Sequence, residues 1–191
     1  MTTEVNRCHW PGMSSSSIYI TYHDTEWGVP IHDDHDLFES LVLDGFQAGL
    51  SWLTILKKRS NFRLAFDNFN AEKIACYGQD KHLLLMRNTG IIRNRAKIEA
   101  ATANARAFLK LCDSFGSFDQ YIWHFTDGKT IVNQWDRQIS VPTETKDSQR
   151  MSRDLKKRGF RFVGPIICYA FMQAVGIVND HLVGCFRHSQ V

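Results

Sequence analysis

At 191 residues, with 43% hydrophobic and 23% charged residues, the chain can bury one substantial core, which excludes a disordered or fibrous protein and leaves little room for two full-sized domains. A formal net charge of +3 is too small to name a polyanion partner, so any nucleic-acid signal has to come from local clusters. Five cysteines, an odd set without tight pairing, speak against a disulfide framework and for reduced thiols or metal ligands.

The opening Met1–Arg7 has no apolar signal core, and no later stretch approaches the roughly 18 apolar residues of a spanning helix, so no membrane association and a cytoplasmic location are expected. After the acidic Asp33-Asp34-His35-Asp36, the spacing of Leu37, Phe38, Leu41 and Val42 predicts an amphipathic helix with a negative first turn, interrupted at Gly45 and Gly49. Ser51 is the expected N-cap of a second helix that carries Trp52, Ile55, Leu56 and Phe62 and ends near Phe66. Short helices follow over 72–77 and 80–87, then a longer one over about 93–112 with Ile98, Ala101, Ala105, Phe108 and Leu109 at helical spacing. A helix over 118–125 ends in the turn Asp127-Gly128, and 140–145 reads as a loop. The last two helices are expected over 151–157 and 164–175, stopped by Gly159 and Gly176. The only strand candidate is a minor one at 130–132. With no repeat and no linker, a single all-α domain spanning 1–191 is the simplest architecture.

Three patterns carry chemistry. His181 and Cys185 lie four positions apart, so on a helical turn both reach one tetrahedral metal, and Cys8 and His23 offer a second pair near the other end. Spacing alone leaves open the alternative that the cysteines are small buried apolar residues. The turn Asn88-Thr89-Gly90, followed by Arg93, joins two helices and suits either phosphate binding by backbone N–H groups or simple packing. The run Lys156-Lys157-Arg158-Gly159-Phe160-Arg161-Phe162 interleaves cations with aromatics, as a phosphate contact requires, while its phenylalanines serve equally as core anchors. Trp10, Tyr19, Tyr22 and Trp27 crowd the N-terminal segment, and Asp44 and Trp52 flank the next loop. Such a set walls a pocket for a planar, cationic base, or else fills a core with Asp44 capping a local turn.

The stretches Tyr22-His23-Asp24-Thr25-Glu26-Trp27-Gly28-Val29-Pro30, Asp44-Gly45-Phe46-Gln47-Ala48-Gly49-Leu50-Ser51-Trp52, Gly90-Ile91-Ile92-Arg93, Lys157-Arg158-Gly159-Phe160 and Asn179-Asp180-His181-Leu182-Val183-Gly184-Cys185, in this order, resemble the DNA-3-methyladenine glycosylase I family over 7–185. The resemblance implies an all-α fold of the helix-hairpin-helix glycosylase type with a structural zinc held by Cys8, His23, His181 and Cys185. It implies a base pocket of Trp10, Tyr19, Tyr22, Asp44 and Trp52, with Tyr22 and Asp44 as the hydrogen-bonding and catalytic groups. It also implies DNA contacts at Ala48, Gly49, Leu50, Gly90, Arg93, Lys157, Arg158 and Gly159. The family commonly has Glu where this chain has Asp44, an arm shorter by one methylene. The implied activity is hydrolytic release of N3-methyladenine from alkylated double-stranded DNA by a monomer, leaving an abasic site without strand cleavage. A zinc-stapled damage sensor that binds without excising is the rival reading. A zinc hydrolase is disfavoured because four protein ligands leave no water position.

Overall fold

The computed structural model describes residues 5–191, and over that span the chain forms ten α-helices, three 3-10 turns and one pair of two-residue strands. The all-α expectation holds. Helix α1 (Ser17–Thr25) is one that periodicity did not reveal. It buries only Tyr22 and His23, so it has no apolar stripe to read.

Helix α2 (Asp34–Gln47) starts where Asp33 accepts the Asp36 N–H at 3.0 Å, and two acidic residues in its first turn favour the positive end of its dipole. Its Leu37, Phe38 and Leu41 are fully buried. Gly45 does not interrupt it. A Cβ there would lie 3.5 Å from that of Phe162, so the glycine serves close packing and the break comes after Gln47. Ser51 caps α3 (Trp52–Leu56) by accepting the Thr54 N–H at 3.2 Å. The expected single helix to Phe66 is divided at Lys57–Lys58 and resumes as α4 (Arg59–Ala65).

Helices α5 (Ala71–Ala75) and α6 (Gln79–Arg87) lead through the hairpin turn to α7 (Arg95–Phe115), the longest element, capped by Asn94 and ended by Gly116. One face of α7 buries Ile98, Ala101, Ala105 and Leu111 against α2, α5, α6 and α8 (Phe118–Trp123). Helix α9 (Lys146–Lys157) begins five residues before the expected Met151. Its first turn is polar and so silent to hydrophobic periodicity, but Thr145 and Ser148 form a reciprocal capping box, each side chain bonded to the other's backbone N–H. Helix α10 (Pro165–Ala174) opens on proline, whose missing N–H falls where the helix has no use for one. Strand β1 (Ile131–Val132) pairs in parallel with β2 (Val178–Asn179), Ile131 opposite Val178.

Buried apolar residues fall into two clusters: a large one under the helices, and a smaller one of Cys8, Tyr22, Trp27, Leu56, Leu182 and Cys185. Trp52 and Val141 pack against both. The smaller cluster is where the chemistry-bearing residues collect. Among the described residues, no helix is long and apolar enough to cross a membrane.

Candidate active site and metal cage

Trp10, Tyr19, Tyr22, Trp27, Asp44 and Trp52 line one cavity of about 210 Å³, closed by Gln47, Gln138 and the α10 residues Ala170, Gln173 and Ala174. Every residue expected of a base pocket is therefore brought to one place. Trp10 packs on Tyr19 at 5.1 Å between ring centroids and meets Trp27 edge-on at 4.6 Å, and Tyr22 tilts against Trp52 at 5.5 Å. The rings thus support one another as a wall.

The polar groups of this cavity are unusual in lacking partners. Asp44 Oδ2, Trp52 Nε1 and Gln138 Oε1 are buried and make no hydrogen bond within the protein. Each such atom costs roughly 1–3 kcal/mol of lost solvation. Asp180 provides the contrast. It is also buried, but Asn133 Nδ2, Trp135 Nε1, Tyr169 Oη and Gln173 Nε2 donate to its two oxygens at 2.6–2.7 Å, which identifies it as structural. Desolvation without compensating donors pushes the Asp44 carboxyl well above the usual carboxylate range. Burial, and then the nearby Asp44, likewise push the Tyr22 phenol upward. A cation entering the cavity would meet an acid that gains from giving up its proton.

Gln138 was not anticipated. It sits in a 3-10 turn (Gln138–Ser140) within an irregular connection, and its place beside Asp44 results from contacts distant in sequence. The one available signal was an uncharged amide four residues before Pro142, too common to single out.

Cys8, His23, His181 and Cys185 are all buried, and their ligand atoms lie within 4.8 Å of one another. His181 Nδ1 is 3.6 Å from both sulfurs, and His23 Nε2 is 3.5 Å from Cys185 Sγ. The outward ring nitrogens are engaged: His23 Nδ1–H donates to Asp24 Oδ1 at 2.8 Å, and His181 Nε2–H donates to the Trp27 carbonyl at 3.0 Å. Both imidazoles therefore turn an unprotonated nitrogen inward, the tautomers a metal needs. Asp24 is itself fixed by Arg7 through a two-nitrogen contact at 2.8–3.0 Å. The hydrogen bond from Cys8 holds the Cys185 thiol low, whereas Cys8 is pushed up beside that thiolate. Two soft sulfurs and two imidazoles at one point suit a tetrahedral zinc. His181 and Cys185 share an irregular run of turns, where the Cys185 N–H donates to the Leu182 carbonyl at 2.7 Å.

The remaining expected contacts do not line the cavity. Ala48, Gly49 and Leu50 form the turn between α2 and α3, with Leu50 41% exposed. In the α6–α7 hairpin, Gly90 donates its N–H to Asn88 Oδ1 at 2.8 Å, so that amide is already used. A Cβ at Gly90 would come within 3.1 Å of Asn61, so its first need is close packing. Arg93 is exposed. Of the basic run after α9, Lys157 and Gly159 are exposed, while Arg158 bonds Asp154 at 2.7 Å and covers the rings of Phe115 and Tyr121.

Fold and cavity together define a helical protein with an aromatic, acid-bearing pocket braced by a four-ligand cage. The methyladenine glycosylase family model matches residues 10–188. DNA-3-methyladenine glycosylase 1 of Escherichia coli (strain K12) is 47% identical over 181 residues, which cover 95% of this chain and 96% of that protein. DNA-3-methyladenine glycosylase of Haemophilus influenzae is 49% identical over 97% of each chain. A crystal structure of 3-methyladenine DNA glycosylase I superposes with a TM-score of 0.92 at 49% identity, over 95% of this chain and 98% of that one. The Staphylococcus aureus 3-methyladenine DNA glycosylase I, solved to explain 3-methyladenine recognition, superposes with a TM-score of 0.88 at 36% identity, over 90% of this chain and 91% of that one. The chain belongs to the methyladenine glycosylase family.

Proposed function

We propose that this protein extrudes N3-methyladenine from alkylated double-stranded DNA and hydrolyses its N-glycosidic bond, leaving an abasic site. The observation that carries the reading is the set of unpartnered buried atoms, Asp44 Oδ2, Trp52 Nε1 and Gln138 Oε1, on residues that line one ring-walled cavity. The two acceptors match the exocyclic amine of an adenine, and the Trp52 ring offers a face for the base to stack on. The relatives' names and the 3-methyladenine complex of one of them support the same substrate.

Methylation at N3 gives the base a positive charge and makes it a neutral leaving group. Aromatic faces and a desolvated carboxyl then favour the cation over an unmodified adenine, with Trp52 as the stacking wall. Asp44 holds the base through charge and hydrogen bonding, and Tyr22 orients it. Water attacks the anomeric carbon of the sugar as the base departs, and the backbone phosphate stabilises the sugar cation. Among the described residues no lysine lines the cavity, so no imine intermediate and no strand cleavage are expected.

The helix-hairpin-helix assignment rests on α6, the Asn88–Asn94 turn and α7, where the Arg95 and Ala96 amides lie before the first intrahelical bond and suit a phosphate. Ala48, Gly49 and Leu50 form the wedge that fills the emptied base position. Arg93, Lys157, Arg158 and Gly159 lie along the backbone track, with Arg158 contributing charge while bound to Asp154. Cys8, His23, His181 and Cys185 hold one zinc, and the ion supplies a cross-link between chain ends. The protein acts as a monomer.

Purified protein incubated with methylated duplex DNA, with released bases identified by chromatography, tests this reading. Release of N3-methyladenine is expected, reduced about 10- to 100-fold in Asp44→Asn and Trp52→Ala. No release from a folded, zinc-loaded protein would favour a sensor that binds the lesion without excising it.

A further inference from the structure

Lys97 lies on the third residue of α7, and it is buried, 7% exposed, in a family of side chains where lysine normally reaches water. Its Nζ donates to the Phe46 carbonyl at 2.9 Å and the Ala48 carbonyl at 2.6 Å. These are carbonyls at the C-terminal end of α2, where helical acceptors have run out and the dipole is negative. The same ammonium stands 5.9 Å from the centre of the Phe162 ring. Phe162 is in the left-handed region, φ +56°, where a bulky residue is held only by its surroundings. Next to it, Arg161 is clasped by Asn104 of α7, which accepts the Arg161 N–H at 2.7 Å and donates to its carbonyl at 3.0 Å. One helix thus opens on the hairpin, grips the Ala48–Leu50 turn through Lys97 and holds the segment after α9 through Asn104.

We propose that Lys97 is a positioning residue for base extrusion, fixing the Ala48–Leu50 wedge to the hairpin helix so that phosphate capture and wedge insertion act in one register. This rests on the glycosylase reading above. Methionine, of similar length, has no N–H to hold either carbonyl, and the turn would swing relative to α7. Burial lowers the Lys97 pKa, so the ammonium is held at a desolvation cost. Lys97 does not itself line the base pocket, and the carbonyls it holds flank a single lining residue, Gln47, so loss of the clamp should affect delivery of the base far more than its recognition.

The test compares single-turnover excision by parent, K97M, L50A and the double variant on two substrates: a fully paired duplex and a single strand carrying the same lesion. Binding of free 3-methyladenine is followed by tryptophan fluorescence. K97M should lose about 10- to 100-fold on the duplex but less than about threefold on the single strand, with free-base affinity within about twofold of the parent. In the double variant the duplex loss should be no greater than the larger single loss, because both changes disable the same wedge. K97R, which keeps the charge but changes the donor geometry, should show the same duplex-selective loss at smaller size, and it replaces K97M in every comparison should K97M not fold. Equal losses on both substrates, or multiplicative losses in the double variant, would overturn the assignment. A parent inactive on the duplex would instead refute the glycosylase reading on which it rests.

Discussion

Asp44 and Asp180 are both buried aspartates, and their difference separates function from structure at the level of single residues. Asp180 is saturated by four donors, whereas Asp44 Oδ2 has none, and only the second arrangement reserves binding capacity for something that arrives later. A group kept in this state lowers fold stability. Because the folded pKa of Asp44 is raised above its unfolded value, the folded state holds the proton more tightly. Its contribution is fully present below the ordinary aspartate pKa of about 4 and is lost as pH rises towards the raised value. Asp44→Asn should therefore be more stable than the parent at neutral pH, by about 1–3 kcal/mol, and the gap should close below about pH 4. Thermal melts of the two proteins at pH 4 and pH 7.5 check this, and a variant no more stable than the parent at pH 7.5 would mean that Asp44 has a partner in solution. The sequence exposed Asp44 and the pocket aromatics only through family resemblance, because composition could not distinguish a pocket wall from a core. Gln138 was hidden altogether, since its role depends on a loop contact distant in sequence.

At the scale of elements, the helices with apolar stripes were legible, as in the buried faces of α2 and α7. What periodicity missed was held by other forces. Helix α1 buries only Tyr22 and His23, α9 starts at a capping box, and β2, the partner of the strand expected at 130–132, is too short to show alternation. The turn after α10 was read from Gly176, and the structure shows why glycine is required there. It lies at φ +74°, and a Cβ would come within 2.4 Å of the Pro30 nitrogen, with backbone on both sides of the clash. Gly176→Ala should destabilise the protein by roughly 3 kcal/mol or more. The matching fall in Tm, about 6–12 °C for a chain of this size, is measurable by calorimetry. A change under about 2 °C would show that the Val29–Pro30 segment moves aside freely.

Over the whole molecule, the Cys8-His23-His181-Cys185 cluster and the ring-walled cavity are one construction. Trp10 follows Cys8 by two residues, Tyr22 precedes His23, and Trp27 lines the cavity while its carbonyl holds His181. Pulling the four ligands apart would therefore disturb three walls of the pocket. One zinc per chain is expected by metal analysis, and chelation should lower both Tm and excision. Cobalt(II) should restore both, as expected of an ion that only ties the chain ends together. Retained activity after complete metal removal would separate cage from pocket. The pairing of Cys8 and His23 with His181 and Cys185 was suggested by residue type, but their convergence across nearly the whole chain is a tertiary fact that spacing cannot contain. The most direct measurement of the central claim uses a duplex oligonucleotide with one N3-methyladenine, counting released base, abasic sites and strand breaks in the same reaction. One released base per abasic site, with no breaks before alkali treatment, is the result predicted by hydrolysis in this pocket. Breaks formed with base release, or an intact lesion bound to folded, zinc-loaded protein, would contradict it.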